Sequence, residues 1–600
     1  MKSFFGAFFG TLFAIAFFVI GGIVILFVLV ALLSSSAEKT KTIPAKSLLV
    51  LDLSLPINDA PSAFNASQLL ASFSGQEERT LQLRDVLRAI QSAASDSHIG
   101  GIFITGSVET SSYASGYAAL REVRQALLDF KKSNKPVFSY VMVPNTRAYY
   151  VDSVADKVFI DPQSEFLMAG LASERMFFAD ALKKYGIGVQ VTRVGKYKSF
   201  VEPFILNQMS PENRQQTEQL LDDLWQEVTN SIEQSRGLSA GAVQELVSQK
   251  GVISGPVAIQ AKLGTELKSL DAVMDELKDQ FASDSKNNTF RQVTIQNYLA
   301  SLDGPNVTPV TGPRVAVVYA EGDIVDGEGT VGEIGGDRLA RAIRKFRFDP
   351  DVKGIVLRVN SPGGSALASE VIRRELAAAQ NSKPIVVSMG TVAASGGYWI
   401  STASNHIFAE PNTITGSIGV FGLEFNFQKI ANDNGITWDG VKTSPFADLF
   451  TVSRPKTPAE LAVIQGFVDD VYGQFLEHVS KARNLPVDQV GEIAQGRVWS
   501  GAQALKIHLI DEFGGLNQAI GYAGKLAGLG ETPKIVEYPA KGTLAEKLKE
   551  IVGENERPPV SKQDVFTKEL QRIELDWAEL TRLNDPNGVY ARLPFGLRPE

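Results

Sequence analysis

The sequence predicts an α/β protein made of two successive copies of a parallel sheet covered by helices, preceded by one N-terminal transmembrane helix. Three observations carry this reading. Tyr149/Tyr398, Phe159/Phe408, Pro162/Pro411, Gly170/Gly419, Phe178/Phe427 and Gly186/Gly435 are each 249 positions apart, and such a constant offset marks an internal repeat. In both copies strand-like apolar runs alternate with helical patterns, as in βαβ units. Residues 4–33 hold no charge and are dominated by Phe, Ile, Leu, Val and Ala, whereas a spanning helix needs about 20 apolar residues.

The elements follow in order. The run at 4–33 exceeds the apolar region of about 7–15 residues in a secretory signal, so it reads as an uncleaved anchor; the alternative is a long signal cut near Ser35-Ser36-Ala37. Lys2 lies on one side, and Lys39 and Lys41, offset by Glu38, on the other, so flanking charge does not orient it. The first copy opens with a strand at 48–53 and the second with one at 315–319. A helical pattern and a buried strand follow, Gly101-Ile-Phe-Ile-Thr105 against Gly354-Ile-Val-Leu-Arg358, then Pro136-Val-Phe-Ser-Tyr140 against Pro384-Ile-Val-Val-Ser388. Near the ends, Val252-Ile-Ser-Gly255 matches Val498-Trp-Ser-Gly501. Residues 301–313, with Gly304, Pro305, Pro309, Gly312 and Pro313, read as the linker. The expected division is an anchor at 1–45, repeats at 46–305 and 306–535, and a tail at 536–600. Within the tail, 566–583 has the pattern of an amphipathic helix and Asp585-Pro-Asn-Gly588 that of a turn.

Composition narrows the function classes. Six hundred residues, 44% hydrophobic and 21% charged, suit several ordinary globular cores. A net charge of −8 argues against a nucleic-acid partner. The absence of cysteine excludes disulfides, thiolate catalysis and cysteine metal sites. His98, His406, His478 and His508 show no metal-ligand spacing, so no metal or cofactor is expected.

Two stretches about 200 residues apart carry the chemistry. In Thr391-Val-Ala-Ala-Ser395-Gly-Gly-Tyr398 a serine stands among small residues where a strand meets a helix. Two readings compete for Ser395: a helix N-cap, or a nucleophile with an unhindered amide at Gly396. A second glycine-rich turn, Val359-Asn-Ser-Pro-Gly-Gly-Ser365, also follows a strand. The amides of Gly364 and Gly396 are candidates for an oxyanion hole, typically worth about 3 kcal/mol per donor. A nucleophilic serine needs a base. His406 reads as an end-of-helix residue leading into a strand, and no G-x-S-x-G elbow is present. Lys198, in Tyr197-Lys-Ser-Phe-Val-Glu-Pro-Phe204, has aromatic and apolar neighbours, and a desolvated lysine can serve as a base. Its competing reading is a surface lysine, and Lys196 is taken to point to solvent. In the repeat, Ser395 falls opposite Thr146, Lys198 opposite Ala447 and Ser417 opposite Met168. Each copy lacks what the other has.

These motifs, with Thr415-Gly-Ser-Ile-Gly-Val420 and Gly496-Arg-Val-Trp-Ser-Gly501, resemble the long, duplicated form of the bacterial signal peptide peptidase family over about residues 1–535. The resemblance implies crotonase/Clp-protease-like superhelical domains. It implies Ser395 as nucleophile, Lys198 as general base, Ser417 as the residue orienting the lysine, and Gly364 as an oxyanion donor. It also implies a bacterial inner-membrane protein with its catalytic body on the periplasmic side, assembled as a homotetramer, in contact with the lipid bilayer. Signal peptides and other hydrophobic peptides would be the substrates. The alternative is a non-enzymatic membrane scaffold on a degenerate protease fold; an acyl-CoA hydratase-like enzyme would share the fold. Whether Ser395 and Lys198 meet within one chain or between chains stays open at this level.

Overall fold

The computed structural model of the protein describes residues 43–61, 80–109, 113–304, 310–540 and 589–592. The anchor expected at 4–33 and the tail helix expected at 566–583 lie outside these. Among the described residues no helix is long and apolar enough to cross a membrane.

The first half builds a six-stranded, all-parallel sheet. Its strands are β1 (Ser47–Asp52), β2 (Ile99–Thr105), β3 (Val137–Val141) and β4 (Lys157–Ile160). After β4 the chain leaves the sheet to form β5 (Gly188–Val194), then returns with β6 (Glu266–Leu267) and β7 (Gln292–Thr294). The spatial order is β6-β4-β3-β2-β1-β7. Side chains alternate across it. Leu49, Ile102 and Ile104 enter one core, and Leu48, Phe103 and Phe138 enter another on the opposite face. A sheet buried on both faces reads as a continuous apolar run, which is how β2 and β3 are legible in the sequence.

The second half repeats the plan. It begins with β8 (Arg314–Glu321), followed by two short strands, β9 (Asp323–Val325) and β10 (Glu333–Gly335). The sheet continues through β11 (Val352–Ser361). After β12 (Gly363–Ser365) comes β13 (Ile385–Ala394), then β14 (His406–Ala409), β15 (Ile414–Gly416), β16 (Val420–Asn426), β17 (Val498–Ser500) and β18 (Ile535–Tyr538). The order β13-β11-β8-β18 mirrors β3-β2-β1-β7, and β14 pairs beside β13 as β4 does beside β3. The strand β18 places residues 535–538 within this sheet, and Ser301–Asp303, read as linker, complete the helix Ile295–Asp303.

Each half carries one long helix after its site segment, α1 (Pro211–Arg236) and α2 (Pro458–Arg483), both 26 residues long. Both start with proline behind a hydroxyl N-cap, Ser210 or Thr457, and end at a left-handed residue, Gly237 or Asn484.

The halves are joined by a buried ion cluster and a shared sheet. Arg358 of β11 is fully buried. It donates to Asp59 at 2.8 Å and Glu122 at 2.6 Å, both from the first half, and to Ser388 at 2.7 Å. Burial, reinforced by repulsion from Asp59, pushes the nearby Glu321 carboxyl up to about 7. The shared sheet has the order β10-β9-β12-β19-β16-β5, where β19 is Val589–Arg592. In it β5 of the first half pairs antiparallel with β16 of the second over seven residue pairs, from Val194↔Val420 to Gly188↔Asn426. The first-half counterpart of β16 and the second-half counterpart of β5 are not strands. The repeat is therefore asymmetric where these two strands join the copies.

Candidate active site

The β5–β16 pairing sets the geometry. Lys198 follows β5 by four residues and Ser417 precedes β16 by three, so an antiparallel register brings the two loops together. Lys198 is wholly buried. Its Nζ lies 2.8 Å from Ser395 Oγ, 3.1 Å from Ser417 Oγ and 3.1 Å from the Ser417 carbonyl oxygen. No carboxylate adds to this set, and desolvation holds the amine well below its ordinary range near 10.5. Ser395, Lys198 and Ser417 thus meet within one chain. Lys196 is exposed, with Nζ 5.3 Å from the centre of the Tyr197 ring.

Ser395 sits between β13 and the short helix Gly396–Ser401, at φ 55° and ψ −115°. Non-glycine residues rarely adopt positive φ, and such strain gathers at functional sites. Its N–H donates to Gly416 O at 2.8 Å, and its carbonyl accepts from Trp399 N–H at 2.8 Å. The serine occupies the N-cap position, yet its hydroxyl makes no capping bond. The hydroxyl is committed to Lys198 instead.

The glycine-rich turn after β11 lies against the same point. A Cβ added to Gly363 would fall 2.6 Å from the Gly396 amide nitrogen and 3.1 Å from Ser395 Cβ. Gly364, in register with Ile324 of β9, has no room for a side chain, because a Cβ there would lie 2.0 Å from Ile324 O. Of the two oxyanion candidates, Gly396 follows Ser395 directly, and Gly364 is next in sequence to Gly363, the glycine that lies against both. Ser365 closes the turn by accepting from Ala368 N–H at 3.1 Å, capping the helix Ala366–Gln380.

Several positioning residues escaped the sequence reading. Gly496, with φ +74°, passes so near the lysine that a Cβ would lie 2.7 Å from both Lys198 N and Lys198 Cβ. Gly419 packs beside it, where a Cβ would be 2.7 Å from Gly496 Cα and 3.3 Å from Lys198 Cδ. The lysine loop is also pinned to α1. Gln216 donates to Tyr197 O at 3.1 Å and accepts from Val498 N–H at 3.2 Å, bridging the halves. Asn213 donates to buried Glu202 at 2.8 Å and accepts from Ser199 Oγ at 2.9 Å. The signal for Gly496 was present as the Gly-Arg-Val-Trp-Ser-Gly motif; its contact with a lysine 298 positions earlier was not readable.

His406 belongs elsewhere. It opens β14, packs on Phe408 and Tyr522, and faces Asp511 and Glu512 at 4.0 and 3.6 Å. The first-half counterpart of the site is filled: Met168, opposite Ser417, is buried in an apolar core. Ala447, opposite Lys198, is exposed. Among the described residues no cluster of His, Cys, Asp and Glu could hold a metal ion.

A serine hydroxyl bonded to a desolvated amine beside glycine-rich backbone is the arrangement of a serine hydrolase. Comparison with known proteins makes the class specific. The pattern of peptidase family S49 matches twice, over residues 129–283 and 377–530. Protease 4 of Salmonella typhi is 38% identical over 512 residues, covering 82% of this chain and 80% of its own. Protease 4 of Haemophilus influenzae is 32% identical over 590 residues, covering 95% and 94%. The chloroplastic serine protease SPPA of Arabidopsis thaliana is 30% identical over 450 residues, covering 74% and 65%. The chain belongs to peptidase family S49 and is a serine peptidase of the protease IV type.

Proposed function

We propose that the protein is a membrane-anchored endopeptidase using a Ser395–Lys198 dyad to degrade cleaved signal peptides and similar hydrophobic peptides. The observation that carries the dyad is the 2.8 Å contact between Lys198 Nζ and Ser395 Oγ, both wholly buried. With the amine neutral, Ser395 O–H donates to its lone pair. The proton passes to Nζ as Oγ attacks the substrate carbonyl, and Gly364 and Gly396 N–H groups receive the oxyanion. The ammonium so formed is held by Ser417 Oγ and the Ser417 carbonyl, then protonates the departing amine. The neutral lysine next activates a water that releases the acyl group from Ser395. General-base assistance of this kind typically contributes about 10²–10⁴-fold.

The membrane placement rests on the apolar run at 4–33. By family resemblance the body is periplasmic, at the bacterial inner membrane, and the assembly a homotetramer. The two interlocked sheets support the crotonase/Clp-protease-like reading of the fold, with repeats at 46–305 and 306–535. A fluorophosphonate probe tests the dyad: it should label the wild-type chain at Ser395, label Lys198→Ala far more slowly, and leave Ser395→Ala unlabelled. Labelling of Ser395→Ala at another serine, with peptidase activity retained, refutes the assignment.

A further inference from the structure

The second half carries an apolar surface that the chemistry does not use. At the 249-residue offset, the segment 185–208, which forms β5 and the lysine loop, corresponds to residues 434–457. The later copy forms neither helix nor strand, and loops of that length in a compact domain usually have a binding role. Ala447 stands where the lysine would be, so the loop has no catalytic duty. It turns apolar side chains outward. Ile436, Trp438, Phe446 and Phe450 are 43–58% exposed, and Val441 is fully exposed. Tyr185, 61% exposed, extends the patch from the first half, because the neighbouring Gly186 O accepts from Ile430 N–H at 3.1 Å. The loop is nonetheless braced. Lys442 pairs with Asp448 at 2.6 Å, and Arg454 pairs with Asp448 at 2.8 Å and with Glu460 of α2 at 2.6 Å. It leaves the end of the β5–β16 ladder where Gly188 faces Asn426, whereas Lys198 follows the end where Val194 faces Val420. These ends are about 20 Å apart along the strands.

Three features point to lipid as the partner. Exposed apolar patches mark interaction sites, and tryptophan and tyrosine settle at the level of lipid headgroups. The loop's ion pairs are satisfied internally, which suits an apolar partner without matching charges better than a specific protein face. Only residues 34–42 separate the apolar run at 4–33 from Ile43, where the described chain begins, a reach of at most about 35 Å. Such a tether keeps the body at the bilayer surface, where a second contact forms at high effective concentration. We propose that the loop 434–457 is a second membrane contact, seating Trp438, Val441 and Phe450 among lipid headgroups and so fixing how the catalytic body sits on the bilayer. This rests on the reading of 4–33 as an anchor and adds a site to it. Exposed Asp439 lies beside Trp438, so apolar insertion rather than headgroup charge drives the contact.

The chain has no cysteine, so Val441→Cys in the full chain gives one site for an environment-sensitive nitrobenzoxadiazole dye. In proteoliposomes the dye should emit to the blue and be shielded from aqueous iodide. Lipids carrying a nitroxide near the glycerol backbone should quench it at least about twofold, matching interfacial side chains that sit about 5–10 Å deep. Quenching should be alike in zwitterionic and anionic vesicles and at low and high salt, because the loop's cations are already paired. Adding Trp438→Asp and Phe450→Asp should abolish it, while turnover of a soluble peptide stays at the wild-type level. A dye that iodide reaches freely overturns the proposal. A dye shielded from iodide but unquenched by the lipid nitroxide places a second copy over the loop and overturns it too, as does unchanged quenching in the aspartate variant. Failure of the anchor itself would look different: alkaline carbonate would then strip the full chain from the vesicles.

Discussion

Replacing Lys198 with methionine separates what the amine does for chemistry from what its burial does to stability. Methionine keeps the length of the chain and removes the base. The expected loss in kcat/KM is about 10²–10⁴-fold, or about 3–5 kcal/mol of transition-state stabilisation at about 1.4 kcal/mol per tenfold. The stability effect has a determinate sign in pH. Burial depresses the folded-state pKa of Lys198 below its unfolded value, so between the two the unfolded chain binds the extra proton. Stability therefore rises with pH across that window, by up to about 1.4 kcal/mol per pH unit. Stated from the other end, stability fully present above the unfolded pKa is lost as pH falls through the folded one. Lys198→Met has no such group. Against this, Ser395 Oγ, Ser417 Oγ and Ser417 O each lose a partner in the variant, at about 1 kcal/mol apiece. The wild type minus variant difference should then be smallest at low pH and grow towards pH 10. Two assays check this: hydrolysis of a fluorogenic peptide between pH 6 and 10, and urea denaturation of both chains at the same pH values. Wild-type kcat/KM should rise with pH as the amine deprotonates. A variant keeping more than a tenth of wild-type activity, or a stability difference that shrinks with rising pH, would refute the reasoning.

Three further outcomes follow from the contacts. Gly496→Ala adds a Cβ 2.7 Å from Lys198 backbone at a left-handed position; peptidase activity should fall about tenfold or more, with about 1–3 kcal/mol of strain visible in denaturation. Arg358→Met strands Asp59 and Glu122 in the interior and should cost about 3–5 kcal/mol, loosening the two halves as read by limited proteolysis, whereas an unchanged proteolysis pattern would mean the cluster does not join them. Residues 306–600 alone carry Ser395 without Lys198, so they should be inactive in peptide hydrolysis and regain some activity when mixed with residues 46–305; activity of the second half by itself would point to a different base.

The repeat, the parallel α/β class and the two loops of the site were legible because each is written in local chemistry. A constant 249-residue offset, apolar runs bounded by turns, and glycines flanking a serine are properties of neighbouring residues. Lys198 stood out through its apolar neighbours, Phe200 and Val201, both buried in the structure. What the sequence left open depends on contacts between distant segments. Ser395 could have been a helix cap; only its approach to Lys198 from the other half shows where its hydroxyl is used. That approach follows from β5 pairing with β16, in which each strand lacks a counterpart in the other copy, so the symmetry of the sequence hid it. The socket formed by Gly419 and Gly496 has the same origin: a glycine announces freedom of the backbone, not the atom that will press against it. The four residues of β19, read as part of a tail, acquire meaning only between β12 and β16, because backbone pairing is indifferent to side chains. Local pattern determined which elements form and which residues are fit for catalysis. Long-range strand pairing and burial decided that Ser395, Lys198 and Ser417 meet within one chain, and that the lysine is desolvated.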